Sequence, residues 1–225
     1  MVSNDLSVSG VDNAPVISRR FYNLLTYGMI GISFLITSAM YGFVNGGGLE
    51  KFFSLNPIVW LVVYLVGSIG GFIVMGVGKS KQSVPITVVG YAMFVLTFGG
   101  TLALLLTRYN VGTVTYAFGI TACLSGIFLI AGITFPEFFS KIGRVLLLAL
   151  IGLIVVEFVS VLFFHINQTI FDYIAIAIFC GFLGFDSYKM SQDAPTVPNA
   201  IFYAADIYID IVNILIRILD IMDRN

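Results

Sequence analysis

Charged residues are scarce in this sequence. Only 10% of the 225 residues are Asp, Glu, Lys or Arg, whereas 59% are hydrophobic, and the mean hydropathy is +1.02. A water-soluble domain carries about 25% charged residues, because its outer surface has to be hydrated. The composition therefore excludes an ordinary soluble globule and indicates an all-α, polytopic membrane protein whose solvent is lipid.

Residue types that support common chemistries are also scarce. The formal net charge is -1 and no run of Lys and Arg occurs, so the basic surface needed for binding nucleic acid is missing. The single histidine, His165, stands at a predicted segment end, where we expect an exposed interface residue. The cysteines, Cys123 and Cys180, lie in apolar stretches without CxxC spacing. With no metal-ligand cluster, nucleophile–histidine pair or phosphate loop, we expect neither an enzyme nor a cofactor.

The first 18 residues are polar and irregular. Asp5, Asp12 and Pro15 occupy positions where a signal peptide would need a basic start and an apolar core. We therefore predict a short cytoplasmic tail over residues 1–18, followed by a single transmembrane domain over residues 19–225.

Seven apolar segments are long enough to cross a bilayer. A hydrocarbon core about 30 Å thick requires roughly 20 helical residues, and runs of that length are bounded here by charge, Pro or Asn. The predicted transmembrane helices cover residues 21–44, 57–77, 85–107, 111–135, 142–164, 169–188 and 199–222. The connections between them leave no room for a separate soluble domain.

The distribution of Lys and Arg predicts the orientation of these segments, because basic residues are retained on the cytoplasmic side of a membrane. A cytoplasmic N-terminus places seven basic residues inside and three outside. The inner residues are Arg19, Arg20, Lys79, Lys81, Lys141, Arg144 and Lys189, and the outer ones are Lys51, Arg108 and Arg224. Arg217 is left within the membrane.

The seventh segment carries a stripe of polar side chains. The stripe consists of Asp206, Asp210, Asn213, Arg217 and Asp220. At about 100° per residue, these five positions fall within roughly 80° of one another around the helix. A stripe of this kind facing lipid would be prohibitive in free energy, so we predict that the seventh helix is central in the bundle.

The sequence leaves the ionic partners of Arg217 open. Arg217 can pair with Asp210 or Asp220, in which case the stripe neutralises itself and only sets the rotation of the helix. Alternatively, it can pair with Glu157, which lies near the middle of the fifth segment. A carboxylate at that depth has to be protonated, paired or facing water, so Glu157 is either structural or functional.

Asp186 lies at the end of the sixth segment, on the same predicted side of the membrane as the start of the stripe. Two carboxylates that are in contact and partly desolvated cannot easily both ionise, so such a pair can share one proton. The alternative is a local ion pair between Asp186 and Lys189, one turn further along the helix.

Two motifs in the last two segments carry a family resemblance. Residues 184–190 read Gly-Phe-Asp-Ser-Tyr-Lys-Met, and residues 207–215 read Ile-Tyr-Ile-Asp-Ile-Val-Asn-Ile-Leu. They are similar to the small-x-aromatic-Asp-Thr-Gln and Leu-Tyr-Leu-Asp-Phe-Ile-Asn-Leu-Phe patterns of the transmembrane Bax inhibitor motif family, known for Bax inhibitor-1 and its bacterial relatives. Arg217 fits the family's late Leu-Leu-Arg, and residues 20–25 resemble its opening.

The resemblance implies a seven-helix fold with a central last helix and a calcium leak gated by a proton-sensitive pair of aspartates. By motif, this pair is Asp186 and Asp210. The sequence departs from the family at three points. The second segment contains no charge, Asp206 stands where relatives often have a small or polar residue, and Tyr188 replaces the usual Gln.

We therefore expect a pH-sensitive calcium leak channel in which Asp186 and Asp210 form the pH sensor and gate. The candidate pathway or ion-pair residues are Asp206, Asn213, Arg217, Glu157 and Lys189. Because calcium prefers oxygen ligands, Asp186, Asp206 and Asp210 are candidates for transient calcium contacts. Calcium and protons are the expected ligands, with membrane lipid around the protein.

Two other functions fit the same residues. A proton-coupled cation transporter also uses carboxylates that exchange a proton for a cation. A non-conducting membrane interaction protein that modulates stress or cell-death responses would use the helices as a binding surface. A retinal photoreceptor is excluded, because the seventh segment has no lysine, and the GxGD-type signature of intramembrane aspartyl proteases is absent. The short loops favour a prokaryotic inner membrane.

Overall fold

The computed structural model describes residues 14–47, 57–164 and 168–224. Within these residues the chain forms seven α-helices and no β-strand. The helices are α1 (Arg19–Asn45), α2 (Pro57–Ser80), α3 (Val84–Leu106), α4 (Val111–Thr134), α5 (Pro136–Val159), α6 (Thr169–Gln192) and α7 (Val197–Arg224), and a π-helical turn, Ser160–Phe164, follows α5. The predicted all-α fold with seven helices is confirmed.

Several helix ends have a local chemical cause. The side chains of Ser18 and Asn110 accept hydrogen bonds from backbone N–H groups in the first turns of α1 and α4. Such caps satisfy donors that have no partner inside the helix. The fifth apolar segment is predicted to begin near residue 142, whereas α5 begins at Pro136, because its charged first turns continue the helix beyond the apolar stretch.

Six of the helices are long and apolar enough to cross a membrane within the described part of the chain. They are α1, residues Leu61–Ser80 of α2, and the whole of α3, α4, α5 and α6. α7 has 28 residues and is therefore about 42 Å long, but it carries the polar stripe. The protein is thus an integral membrane protein. Its most polar long helix, α7, is not among the helices whose composition alone fits a membrane span.

α7 lies at the centre of the bundle. It packs against α1, α2, α3, α4 and α6. Large side chains along its length, including Tyr203, Tyr208, Leu215 and Leu219, are almost completely buried. α5, in contrast, presents exposed apolar side chains along most of its length. The predicted central position of the last helix is confirmed, because the helix that lipid would solvate worst is the one surrounded by protein.

The N-terminal tail is joined to the loop between α6 and α7. Val16 forms an antiparallel bridge with Thr196, and the backbone N–H of Ile17 donates to the carbonyl oxygen of Pro195 at 2.8 Å. Arg19 adds a side-chain hydrogen bond to the carbonyl oxygen of Met190. The described part of the tail and the α6–α7 loop therefore lie at the same end of the bundle, which we call the tail end.

A second set of contacts fastens the same loop to α2. Lys79 Nζ lies 2.9 Å from Asp193 Oδ2 and 4.0 Å from the centre of the Tyr203 ring, and the Tyr203 hydroxyl donates to Asp193. Partial burial by itself would raise the pKa of Asp193, but the hydrogen bonds from Tyr203 and Lys79 outweigh it and hold that pKa below its ordinary value. The start of α7 is therefore held by charge as well as by packing.

Glycines allow α2 and α3 to approach closely. A Cβ atom added at Gly71 would lie 2.6 Å from the backbone nitrogen of Phe94 and 2.8 Å from the carbonyl oxygen of Gly90. Gly67, four residues earlier, faces the side chain of Thr97 in the same interface. Small residues at this spacing let backbones pack where no hydrophobic effect drives helix association.

We expect the substitution Gly71→Ala to destabilise the protein, because its methyl group would meet α3 backbone that cannot move independently. A cost of about 1–3 kcal/mol is typical of an overpacked interior, and it should appear as a lower melting temperature in detergent. The matched control is Gly70→Ala, since a Cβ atom there meets nothing within 4 Å. Equal melting temperatures for the two variants would contradict the close-packing explanation.

Candidate functional site

Most of the charged residues in the stripe of α7 belong to one of two clusters. One, the aspartate cluster, consists of Asp186, Lys189, Asp206 and Asp210. The other, the arginine cluster, consists of Glu157, Asp172, Arg217 and Arg224. The first joins α6 to the N-terminal half of α7, and the second joins α5 and α6 to the C-terminal half of α7. Within each cluster, the residues that α7 contributes lie one or two helical turns apart on the same side of that helix.

In the aspartate cluster a single ammonium group stands among carboxyl groups. Lys189 Nζ lies 2.9 Å from Asp186 Oδ1 and 4.0 Å from Asp206 Oδ2. Asp186 and Asp210 are only 6% and 5% exposed, and Asp206 is half-buried. The local pair between Asp186 and Lys189 is therefore present, but it is part of a larger group of charges.

Asp186 on α6 and Asp210 on α7 are both buried, and their carboxyl groups interact electrostatically with each other. Ionised carboxylates can only accept hydrogen bonds, and the buried Oδ2 atom of Asp210 has no donor among the described residues. A proton on either carboxyl group would provide the missing donor. This geometry can hold one proton between two acidic groups, as close carboxylate pairs do.

The aspartate cluster also contains more negative than positive charge. Three carboxyl groups share one lysine, so the cluster has a net charge of about -1 with one proton bound and -2 without it, counting each group at full ionisation. Among the described residues, no three His, Cys, Asp or Glu side chains are arranged to hold a metal ion. The cluster is therefore attractive to cations without being a preformed metal site in this conformation.

In the arginine cluster all charges are paired. The Arg217 guanidinium donates to both carboxylate oxygens of Glu157, at 2.7 and 3.1 Å, and to Asp172 Oδ1 at 2.9 Å. Arg224 donates to Asp172 Oδ2 at 2.6 Å. Of the partners that the sequence allowed for Arg217, the structure has Glu157, and it adds Asp172.

The other two polar residues of the stripe, Asn213 and Asp220, form hydrogen bonds outside both clusters. Asp220 accepts a hydrogen bond from the Tyr109 hydroxyl at 2.7 Å, and the Asn213 side chain donates to the carbonyl oxygen of Ile209 on its own helix. Asp210 belongs to the other cluster. Neither Asp210 nor Asp220 is therefore the ionic partner of Arg217, and the self-neutralised stripe is replaced by pairing between helices.

Asp172 is a buried ion-pair residue that the sequence analysis did not single out. It is 1% exposed, near the start of α6, and it accepts from two arginines of α7. The available signal was a carboxylate within a predicted span, which is costly unless it is paired. His165 lies outside the described residues, Cys180 is buried and Cys123 is exposed, and both cysteines are free.

A bundle of apolar helices around a helix with buried carboxyl groups defines an integral membrane protein with a polar interior. Residues 17–225 match the family model described as "Inhibitor of apoptosis-promoting Bax1". Because this match covers nearly the whole chain, the protein belongs to the Bax inhibitor family. The resemblance noted in the two C-terminal motifs is confirmed.

Relatives include a bacterial and a viral protein. The chain is 23% identical over 221 residues to "Inner membrane protein YbhL" of Escherichia coli (strain K12), covering 92% of this chain and 93% of that protein. It is 25% identical over 219 residues to "Golgi anti-apoptotic protein" of Vaccinia virus (strain Lister), covering 96% and 90% respectively. No solved structure matches the chain significantly.

We expect Asp172→Asn to destabilise the protein, because it leaves the Arg217 and Arg224 charges incompletely paired. Breaking a buried ion pair costs about 3–5 kcal/mol, and the partial exposure of both arginines makes about 3 kcal/mol the upper limit here. Thermal unfolding in detergent measures the effect. The control is Asp223→Asn, which removes an exposed carboxylate next to Arg224 at the end of α7. A melting temperature for Asp172→Asn equal to that of the control would show that the arginine cluster is not a structural clamp.

Proposed function

We propose that this protein is a pH-sensitive calcium leak channel gated by Asp186 and Asp210. The observation that supports this function is the juxtaposition of two buried carboxyl groups from adjacent helices, one of them on the central helix. The family's C-terminal motifs contain these two aspartates. Calcium is the permeant ion rather than a bound cofactor, and no enzymatic reaction is proposed.

At low pH the closed state is stabilised by one proton shared between Asp186 and Asp210. The shared proton supplies the donor that the Asp210 carboxyl group otherwise lacks. It also removes one negative charge from a region where lipid and protein, rather than water, surround the group. α6 and α7 therefore stay in contact at the level of the pair.

At higher pH the proton is lost and the two carboxylates repel each other. Two like charges about 4 Å apart repel by about 4 kcal/mol if the effective dielectric constant is near 20. A free-energy change of that size is an upper value, yet even half of it would change a two-state population more than tenfold. Separation of α6 and α7 then exposes the half-buried side of the stripe, including Asp206, as a path for cations.

The direction of the pathway follows from the proposed orientation. We place the N-terminus and the tail end in the cytoplasm, on the basis of the Lys and Arg distribution, and the protein in a prokaryotic inner membrane. The printed name of the Escherichia coli relative places that protein in the inner membrane. In this orientation the aspartate cluster lies between the cytoplasm and the arginine cluster.

We expect Asp210→Asn and Asp186→Asn to abolish the pH response of calcium flux between about pH 6 and 8, because each variant removes one member of the Asp186–Asp210 pair that bridges α6 and α7. The residual flux can be high or low, since an amide can keep or lose the contact. The measurement is calcium entry into liposomes that contain purified protein and a calcium-sensitive dye, with the external pH varied.

The control for both variants is Asp220→Asn. This change removes a carboxylate of the same stripe that accepts a hydrogen bond from Tyr109 and does not belong to the aspartate cluster. It should keep the pH response of the wild type. Melting temperatures of all variants separate a loss of gating from a loss of folding. If Asp210→Asn and Asp186→Asn both keep wild-type flux and the full pH response, the pair is structural and the channel proposal fails.

Lys189 provides a further test, because its ammonium group competes with the proton for Asp186. The variant Lys189→Gln removes a positive charge 2.9 Å from Asp186, so the carboxyl groups should hold their proton to higher pH. We expect the midpoint of the flux–pH curve to rise by about one unit, the low end of what a close charge does. Lys81→Gln, at an exposed position of the same end, should leave it unchanged. An unchanged midpoint would show that Lys189 does not act on the gate, and a midpoint that falls would contradict the predicted direction.

Two alternative functions, a proton-coupled cation transporter and a non-conducting interaction protein, are each supported by a specific observation. A proton-coupled cation transporter would use the same carboxyl groups, and it would move protons in a fixed ratio to calcium, whereas a leak moves calcium without them. A pH-sensitive dye inside the same liposomes distinguishes the two.

The printed name of the vaccinia relative, "Golgi anti-apoptotic protein", favours a role in cell-death control for a protein of this family. A non-conducting interaction protein would show no flux at any pH.

A further inference from the structure

We propose that a cavity between α1 and α4 is a binding site for one acyl chain of a membrane phospholipid. The cavity has a volume of about 430 Å³ and is open on one side. This size is within the range of about 300–1,000 Å³ that is usual for small-molecule sites. It lies apart from both charged clusters of α7.

The lining of the cavity is mainly apolar. Its apolar members are Phe34, Leu35, Leu106, Val111, Val114 and Phe118. Two of its hydroxyl groups are already in use, because Thr37 donates to the carbonyl oxygen of Ser33 and Thr115 to that of Val111. The cavity therefore offers mainly methyl groups and aromatic rings, which suit a hydrocarbon chain and not a calcium ion.

Exposed apolar side chains line the opening of the cavity. Leu35 on α1 and Val111 on α4 line the cavity, and each is 69% exposed. Both belong to helices that are long and apolar enough to cross a membrane. The apolar molecule next to such a surface is lipid, and an unfilled apolar space would forfeit the dispersion contacts of the side chains around it.

The floor of the cavity reaches the central helix. The Phe34 ring packs edge-to-face on Phe118, with 5.9 Å between ring centres, and on Tyr208, with 4.9 Å. Tyr208 is fully buried, shares a 2.7 Å hydrogen bond with Thr37, and precedes Asp210 by two residues. An acyl chain in the cavity therefore touches Phe34, which contacts Tyr208 of α7. Any effect of the acyl chain on calcium flux rests on the proposed function.

Gly31 allows the cavity to be filled without disturbing the protein around it. A Cβ atom at Gly31 meets nothing within 4 Å, although Gly31 lines the cavity. The variant Gly31→Leu should occupy space that the acyl chain needs. The matched control is Gly28→Leu on the same helix, where a Cβ atom also meets nothing within 4 Å and which does not line the cavity. Both changes raise helix propensity equally.

The test uses liposomes that contain a phosphatidylcholine with a photoreactive diazirine at the end of one acyl chain. After irradiation, mass spectrometry of peptides locates the attached lipid, and labelling of exposed Ile154 and Val155 on α5 serves as the reference for ordinary lipid contact. We expect residues 31–41 and 111–118 of the wild type to be labelled above this reference. Gly31→Leu should reduce that labelling about tenfold, which corresponds to about 1.4 kcal/mol, and Gly28→Leu should not.

Thr115→Phe, which narrows the cavity from α4, is the second variant and keeps the test valid if Gly31→Leu does not fold. Labelling of the cavity segments that does not exceed the α5 reference, or that both cavity variants leave at the wild-type value, would overturn the proposed site. The measurement requires no ion flux. A failure of the calcium proposal therefore shows itself separately, in the flux assays, and does not affect this result.

Discussion

Charge on the last helix has to be solvated by the protein, because the hydrocarbon around the bundle cannot do so. Each ionised group left facing lipid costs several kcal/mol even by the lower estimates. This constraint places α7 inside, with five helices packed against it and apolar α5 presenting its side chains to lipid. It also requires that carboxylates and basic groups on neighbouring helices meet those of α7, which is why both charged clusters lie across helix–helix contacts.

The two clusters meet this constraint in different ways. In the arginine cluster two guanidinium groups face two carboxylates, and Asp172 uses both of its oxygens. Such a set is electrically balanced and fixes the C-terminal half of α7 to α5 and α6. In the aspartate cluster three carboxyl groups share Lys189, so the cluster keeps excess negative charge unless protons or cations bind to it. This unbalanced charge is the reason why the proposed pH sensor is placed in the aspartate cluster and not in the arginine cluster.

The position of the unbalanced cluster along α7 has a mechanical consequence. The N-terminal end of α7 is fastened through the α6–α7 loop, which contacts the tail at Val16 and α2 at Lys79. The C-terminal half is fastened by the arginine cluster. The Asp186–Asp210 contact lies between these two attachments. In the proposed gating mechanism, a repulsion at that level would act on a segment held at both ends, which would favour a local separation of α6 and α7 over a displacement of the whole helix.

Much of the fold could be predicted from the sequence, because bilayer thickness limits how a hydrophobic chain can be divided. The number of helices, the central position of α7 and the closeness of Asp186 to Lys189 follow from segment length and helical periodicity, which are local properties. The boundary of α5 was less predictable, because a helix can continue through charged residues beyond the apolar stretch. The sequence also allowed several partners for Arg217, and periodicity has no means of choosing among them.

Only the tertiary structure decided which groups from different helices meet. It placed Asp172, distant in sequence from α7, against Arg217 and Arg224, and it turned Asp220 towards Tyr109 instead. It also left a space between α1 and α4 that no pattern of hydrophobic residues indicates. The sequence by itself determined that buried charge must exist and on which face of the last helix. How that charge is paired depends on the rotation and depth of six other helices, and these are set by packing between residues far apart in the chain.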